Sequence, residues 1–165
     1  MIMTNVTIAQ EDPRSEDATV IMQELSDCLQ VITGDSGKSS FDIDDICDAR
    51  ALFVIARNEN GEPVGCGAVR QLSGKVAEIK RMYVKEKSHG LGSCMLQYLE
   101  QQAAMMGYDT VWLETRKINQ KAVAFYLKNG YQIIPNYGRY KTRPEAVCFE
   151  KRLNEAIHEE SRKGE

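Results

Sequence analysis

The chain of 165 residues lacks the usual signs of a metal site, a disulfide scaffold or a membrane anchor. Its five cysteines, Cys28, Cys47, Cys66, Cys94 and Cys148, stand singly, and no two have CxxC spacing. An odd, scattered set of thiols argues against disulfide stapling and against zinc, and points to a reducing, cytoplasmic compartment. No apolar run approaches the ~20 residues that a membrane helix needs. The first residues, MIMTNVTIAQEDPRSED, have no basic stretch followed by an apolar one, so no signal peptide is expected. There is no long Lys/Arg block and the net charge is −3, which speaks against nucleic acid as a partner. Repeats, linkers and low-complexity segments are also missing.

What remains is enough for one compact domain, with 42% hydrophobic residues to build its core. Residues 2–8 are β-branched and read as a first strand. Val20, Ile21, Leu25, Cys28, Leu29 and Ile32 follow at helical spacing, and the polar GDSGKSS of 34–40 reads as a loop. FDIDDICDARA reads as a short helix or an ordered loop. Three strands are expected at 52–57, 63–72 and 76–84. Asn60-Gly61 and Ser73-Gly74 between them are hairpin signals, so this part is an antiparallel meander. Leu91, Met95, Leu99 and Ala103 then form the stripe of a helix over 90–106, which Gly107 stops. A short strand at 110–114 leads to Asn119, a cap for a second helix with the stripe Ala122, Val123, Tyr126 and Leu127. Strands at 131–134 and 147–151 close the domain, and a charged tail follows from about 153.

The stretch EKSHGLGSCML, 86–96, carries the chemistry. Gly90 and Gly92 stand where a polar run becomes an amphipathic helix, a place suited to phosphate on backbone amides. A nucleotide P-loop does not fit the chain. GDSGKS has two residues between Gly34 and Gly37 where the motif needs four, and it follows a helical pattern rather than a strand. A dinucleotide fingerprint does not fit either. Its third glycine would fall on Met95, and it belongs after a first strand rather than after a meander. Acyl-coenzyme A remains, with its pyrophosphate on the amides of 87–93 and Lys87 nearby.

Three ordered blocks support that choice. They are the strand AEIKRMYV, the run Lys87-Ser88-His89-Gly90-Leu91-Gly92, and NQKAVAFYLKNGY over 119–131. Together they resemble the GCN5-related N-acetyltransferase (GNAT) family over roughly 50–152. That family's loop signature is [QR]-x-x-G-x-[GA]. Here Lys87 stands in place of Gln or Arg, and Ser88 in place of a frequent glycine.

The resemblance implies a single domain of the α/β (α+β) class, with a central mixed, mostly antiparallel sheet flanked by helices. It also implies transfer of an acetyl group from acetyl-CoA, without metal, to a primary amine by direct attack in a ternary complex. The loop residues Lys87, Ser88, His89, Gly90, Leu91, Gly92 and Ser93 would hold the cofactor. The backbone of Met82, Tyr83 and Val84 would pair with the pantetheine arm, and the Met82 amide would polarise the thioester carbonyl. Asn119 would bond the pantetheine, although an N-cap role alone also accounts for it. Tyr126 matches the family's acid, a phenol with a pKa near ~10 that can protonate a thiolate. Glu78 matches the base of some members, with Glu114 as the other candidate.

Fold analogy alone places Arg70, Tyr137, Tyr140 and Cys148 on the acceptor side. His89 is expected to face solvent, and His158 to be an ordinary tail residue. The acceptor is a small-molecule or protein amine, and the acidic whole-chain balance mildly favours a cationic one. The family often forms homodimers. A non-catalytic acyl-CoA sensor of the same fold is the alternative, although the pair Tyr126 and Glu78 favours an enzyme.

Overall fold

A computed structural model describes residues 5–85 and 90–153. Its strands are β1 (Thr7–Gln10), β2 (Leu52–Arg57), β3 (Pro63–Ser73), β4 (Val76–Val84), β5 (Thr110–Arg116), β6 (Gln132–Ile134) and β7 (Ala146–Arg152). Its helices are α1 (Glu16–Thr33), α2 (Leu91–Met105) and α3 (Gln120–Lys128), with short 3-10 turns at Lys38–Ser40, Ile43–Ile46 and Gly138–Thr142. The strands form one seven-stranded sheet in the order β1-β2-β3-β4-β5-β7-β6. Only the β4–β5 pair is parallel.

The expected elements are present, with shifted edges. Residues 2–4 of the first expected strand lie outside the described residues, and β1 runs on to Gln10, past the expected end at 8, because Thr7–Gln10 pair with Arg57–Val54 of β2. It is an edge strand with little burial, so its β-branched start did not mark where pairing lies. The last strand of the β5 block runs on to Arg116, because β7 pairs with it as far as Arg116↔Ala146. Leu127, placed in the buried stripe of α3, is 48% exposed, and the burial of that helix centres on Tyr126.

Both faces of the sheet are covered. Leu52, Val54 and Ala56 of β2 pack toward α2, while Phe53 and Ile55 pack toward α1 with Ile21 and Met22. A strand buried on both sides reads as the unbroken apolar run LFVIA, without alternation. The stripe Leu91, Met95, Leu99 and Ala103 lies wholly in the core between α2 and the sheet. It fits closely because β3 carries glycines there.

Two irregularities shape the sheet centre. β4 and β5 pair for only three rungs, Val76↔Thr110, Ala77↔Val111 and Glu78↔Trp112, and then part. On the other edge of β4, Cys66↔Tyr83 and Ala68↔Lys80 leave Gly67 facing both Arg81 and Met82. This is a bulge, and Arg81 takes the left-handed conformation at φ 57°.

A Cβ at Gly65 would lie 2.8 Å from Met95 Sδ and 2.9 Å from the Tyr83 carbonyl oxygen. At Gly67 the nearest atoms are only the side-chain ends of Leu99 and Met82. Gly65→Ala is therefore expected to cost about 1–3 kcal/mol, and Gly67→Ala less, in urea denaturation.

Candidate functional site

Where β4 and β5 part, a cavity of about 150 Å³ opens between them. Its walls are the later half of α1, the loop around Gly37 and Phe41, the facing segments of β4 and β5, and the start of α3. The period-2 geometry of strands puts Glu78, Lys80, Trp112, Glu114 and Arg116 on the α1 side of the sheet. Ala77, Ile79, Val111 and Leu113 enter the core on the other side.

Tyr126 reaches this cavity from α3. Its ring is 8% exposed and packs edge-on against Tyr131, and tilted against Phe149. Among the described residues nothing hydrogen-bonds its hydroxyl. Burial, and then the nearby Glu114 carboxylate, raise its pKa, so the phenol stays protonated.

The two candidate carboxylates differ. Glu78 is 2% exposed, and both of its oxygens are engaged. Oε1 accepts from Arg70 Nη1 at 2.7 Å, with Lys80 Nζ at 3.6 Å, and Oε2 accepts from the Tyr137 hydroxyl. Glu114 lies two residues past the last β4–β5 rung and has no hydrogen bond or ion pair among the described residues. Burial raises its pKa, Arg116 and Lys80 pull it down, and Glu78 pushes it up.

The phosphate end is partly visible. Lys87, Ser88 and His89 lie outside the described residues, as does His158. Gly90 starts α2 in the left-handed conformation, at φ 84°, and a Cβ there would meet nothing within 4 Å. The first intrahelical amide bond is Cys94 N–H to Gly90 O. The amides of Leu91, Gly92 and Ser93 thus lack helical acceptors, and among the described residues no side chain caps them. By contrast, Ser15 caps α1 and Asn119 caps α3. Leu91 is buried in the core, so any ligand contact of this residue is through its backbone. Gly92 has a packing duty too, since a Cβ there would come within 3.2 Å of the Phe125 ring.

Met82 and Asn119 line the cavity. Tyr83 turns its ring to the α1 face, where it packs near Ile21 and Met22 and Cys28 Sγ–H donates to its hydroxyl at 3.8 Å. Val84 packs at the edge of the core toward α2.

Residues 19–131 match the family model described as the acetyltransferase (GNAT) family. The chain belongs to the GNAT family. An Azospirillum brasilense protein named IAA acetyltransferase is 30% identical over 92% of this chain and all of its own length. A Klebsiella pneumoniae protein named for acyl-CoA N-acyltransferase activity is 27% identical, with a TM-score of 0.76 over 90% of this chain and 97% of that one. An Elizabethkingia anophelis GNAT acetyltransferase, solved with acetyl-CoA bound, shares the fold at 19% identity. Its TM-score is 0.67 over 92% of this chain and all of the other. The protein is an acyltransferase, and its mixed, mostly antiparallel sheet is the GNAT fold. Among the described residues no helix is long and apolar enough to cross a membrane, and no cluster of His, Cys, Asp and Glu is arranged to hold a metal ion.

Arg70, Tyr137, Tyr140 and Cys148, which analogy named for the acceptor side, lie around Glu78 and Trp112. Tyr137 stacks on Trp112 at 5.0 Å, and Tyr140 meets Tyr137 edge-on at 5.5 Å. Arg70 holds Glu78, and Cys148 faces Glu114 in register, its thiol pKa raised by burial. Sequence alone assigns no role to Lys80 or Arg116, and GDSGKSS reads only as a polar loop. Lys80 is largely buried, which lowers its pKa against the opposing pull of Glu78. Its Nζ donates to Ser40 O at 2.5 Å and to the Tyr140 hydroxyl at 3.3 Å. Arg116 holds Asp35 at 2.8 Å, and Arg139 donates to Ser39 O at 2.5 Å. Three cations thus fasten the loop over the cavity. The i, i+2 spacing of Glu78 and Lys80 was the available signal for Lys80. The loop carries no periodic signal.

Removing the Glu78 carboxylate leaves the Arg70 guanidinium with only the longer ion pair of its Nε to Asp45 at 3.8 Å, and that Nε is buried without a hydrogen bond. Glu78→Ala is expected to lose about 3 kcal/mol in urea denaturation. A loss under ~1 kcal/mol would show that the network contributes little to the fold.

Proposed function

We propose that this acyltransferase moves an acetyl group from acetyl-CoA to a primary amine by direct attack. The observation that carries the reading is the meeting of two unpartnered groups, the Tyr126 hydroxyl and the Glu114 carboxylate, in the cavity where β4 and β5 part. Polar groups that line a cavity without a partner in the fold are the ones a ligand can complete.

The residues present fit acetyl-CoA. The uncapped amides of Leu91, Gly92 and Ser93 suit a pyrophosphate, and the parted strand edges suit the amide-rich pantetheine arm. Bound acetyl-CoA would supply the electrophilic acyl carbon and a thiolate leaving group. The Met82 amide, beside the bulge, is assigned to polarise the acyl oxygen. Asn119 Oδ1 accepts from the Ala122 amide at 3.3 Å, which leaves its Nδ2 for the arm.

Tyr126 gives its proton to the departing sulfur. Glu114 takes the proton from the attacking amine. We assign the base to Glu114 rather than to Glu78, because Glu78 has both oxygens engaged and Glu114 has neither. Glu78 instead holds Arg70, Lys80 and Tyr137 in place beneath the acceptor.

Tyr126→Phe is expected to lower kcat for thiol release by roughly 10²- to 10⁴-fold while acetyl-CoA binding persists. Unchanged turnover would remove Tyr126 from the reaction. Binding of acetyl-CoA without thiol release from any amine would return the chain to a sensor role.

The pH dependence follows from Glu114. Its raised pKa places loss of the base above the usual carboxylate range, so kcat falls as pH drops through that value. In Glu114→Gln this acid limb is expected to vanish along with most of the rate. A retained limb would return the base role to Glu78.

A further inference from the structure

A second cavity of about 380 Å³ adjoins the first and shares Thr33, Asp35 and Arg116 with it. Its wall is completed by Ser39 of the loop, by Lys117 and Ile118 at the end of β5, and by Arg143 and Glu145 before β7. Both acids in that wall are held by one guanidinium. Arg116 stands 2.8 Å from Asp35 and 2.6 Å from Glu145. Lys117 and Arg143 are left without an ion pair or a side-chain hydrogen bond among the described residues. The influence of Arg143 reaches both Glu114 in the inner cavity and Glu145 in the outer one. On a chain of net charge −3, this mouth therefore has a surplus of positive charge. The whole-chain balance had pointed the other way.

We infer that the acceptor is a primary amine carrying an anionic group, a carboxylate or a phosphate, with the amine in the inner cavity and the anion in the outer one between Arg143 and Lys117. The inference rests on the acetyltransferase reading. The inner cavity, walled by the fastened loop, admits a slender amine, and Glu114 there takes its proton. An anion attached to the same molecule then reaches Lys117 and Arg143, the two cations of the outer wall that hold no ion pair among the described residues. The outer cavity lies by the loop after α1, on the sheet face opposite α2. It is thus apart from the α2 amides assigned to the pyrophosphate. The same chemistry exists on the donor, whose 3′-phosphate is the other source of an anion.

Steady-state rates with matched amines test the assignment: β-alanine against propylamine, 4-aminobutyrate against butylamine, and putrescine as a dication. The acids are expected to lead in kcat/KM by about tenfold or more, the worth of one charge-assisted hydrogen bond. In the double variant Arg143→Gln, Lys117→Gln the acid-to-neutral ratio should collapse toward one, through KM. A lead for putrescine or the neutral amines, or a ratio that survives the double substitution, overturns the proposal.

Calorimetry with 4-acetamidobutyrate on the CoA-bound protein reads the anion site without turnover, and binding that the double variant loses supports it. Should that binding be seen while no amine is acetylated, the anion site stands and the acetyltransferase reading falls. Acetylation of neutral amines with no preference for acids does the reverse. If the double variant weakens CoA but not 3′-dephospho-CoA, the cations serve the donor and the proposal is wrong.

Discussion

Two parallel strands that stop pairing after three rungs leave backbone groups of both edges facing a gap, and the rest of this molecule is arranged around that gap. Each strand stays anchored on its outer side. β4 pairs with β3 up to Gly65↔Val84, and β5 pairs with β7 up to Arg116↔Ala146. The gap is therefore a fixed feature of the sheet rather than a frayed end. Unsatisfied amides and carbonyls in such a place favour a ligand rich in amides. The bulge at Arg81 and Met82 aids the parting, because the extra residue twists β4 away from β5. Arg81 accepts a left-handed backbone there, and its guanidinium is tied down by Met22 O and Ser26 Oγ of α1. Strain at the site is held in place by the helix that covers it.

The same parting explains the division between the two carboxylates. Glu78 is on the last rung, where β3, β5 and the turn at Gly138–Thr142 still crowd around it. A buried carboxylate there must be paired, and it is, by Arg70 and Tyr137. Glu114 stands beyond the rung, where the crowd has thinned. It loses water without gaining a hydrogen-bonding partner, and that raises its pKa. Distance from the point of parting decides which acid is tied into the fold and which is left without a hydrogen-bonding partner. Spacing along the sequence does not show that distance, since both glutamates sit on strands with similar flanks.

Much of the fold was legible because its signals are local. Asn60-Gly61 and Ser73-Gly74 mark hairpins by turn chemistry, and the stripe from Leu91 to Ala103 marks a helix by period. Tyr126 and Asn119 were found through a motif that fixes their place on α3. The parts that were not legible depend on contacts far apart in sequence. Lys80 reaches Ser40 and Tyr140, and Arg116 joins Asp35 to Glu145. GDSGKSS reads only as a polar loop because a loop that is held by its carbonyls needs no particular side chains. Its job is visible only in the donors aimed at it, Lys80 at Ser40 O and Arg139 at Ser39 O.

Several residues here serve packing and chemistry together. Gly92 lets the Phe125 ring approach α2, and it also sits in the uncapped turn assigned to phosphate. Asn119 closes the first turn of α3 with one atom of its amide and has the other atom to spare. This sharing follows from the size of the domain. A chain of 165 residues has one core, and its ligand cleft is cut into the centre of the sheet that makes that core. Residues at the cleft must then support helices on one side and a substrate on the other. Lys117 and Arg143 are the exception, because they stand at the mouth and neither makes an ion pair or a side-chain hydrogen bond among the described residues. The three cations at that mouth, Arg116, Lys117 and Arg143, outnumber its two acids, Asp35 and Glu145, and the surplus suits a negative charge that comes with the substrate.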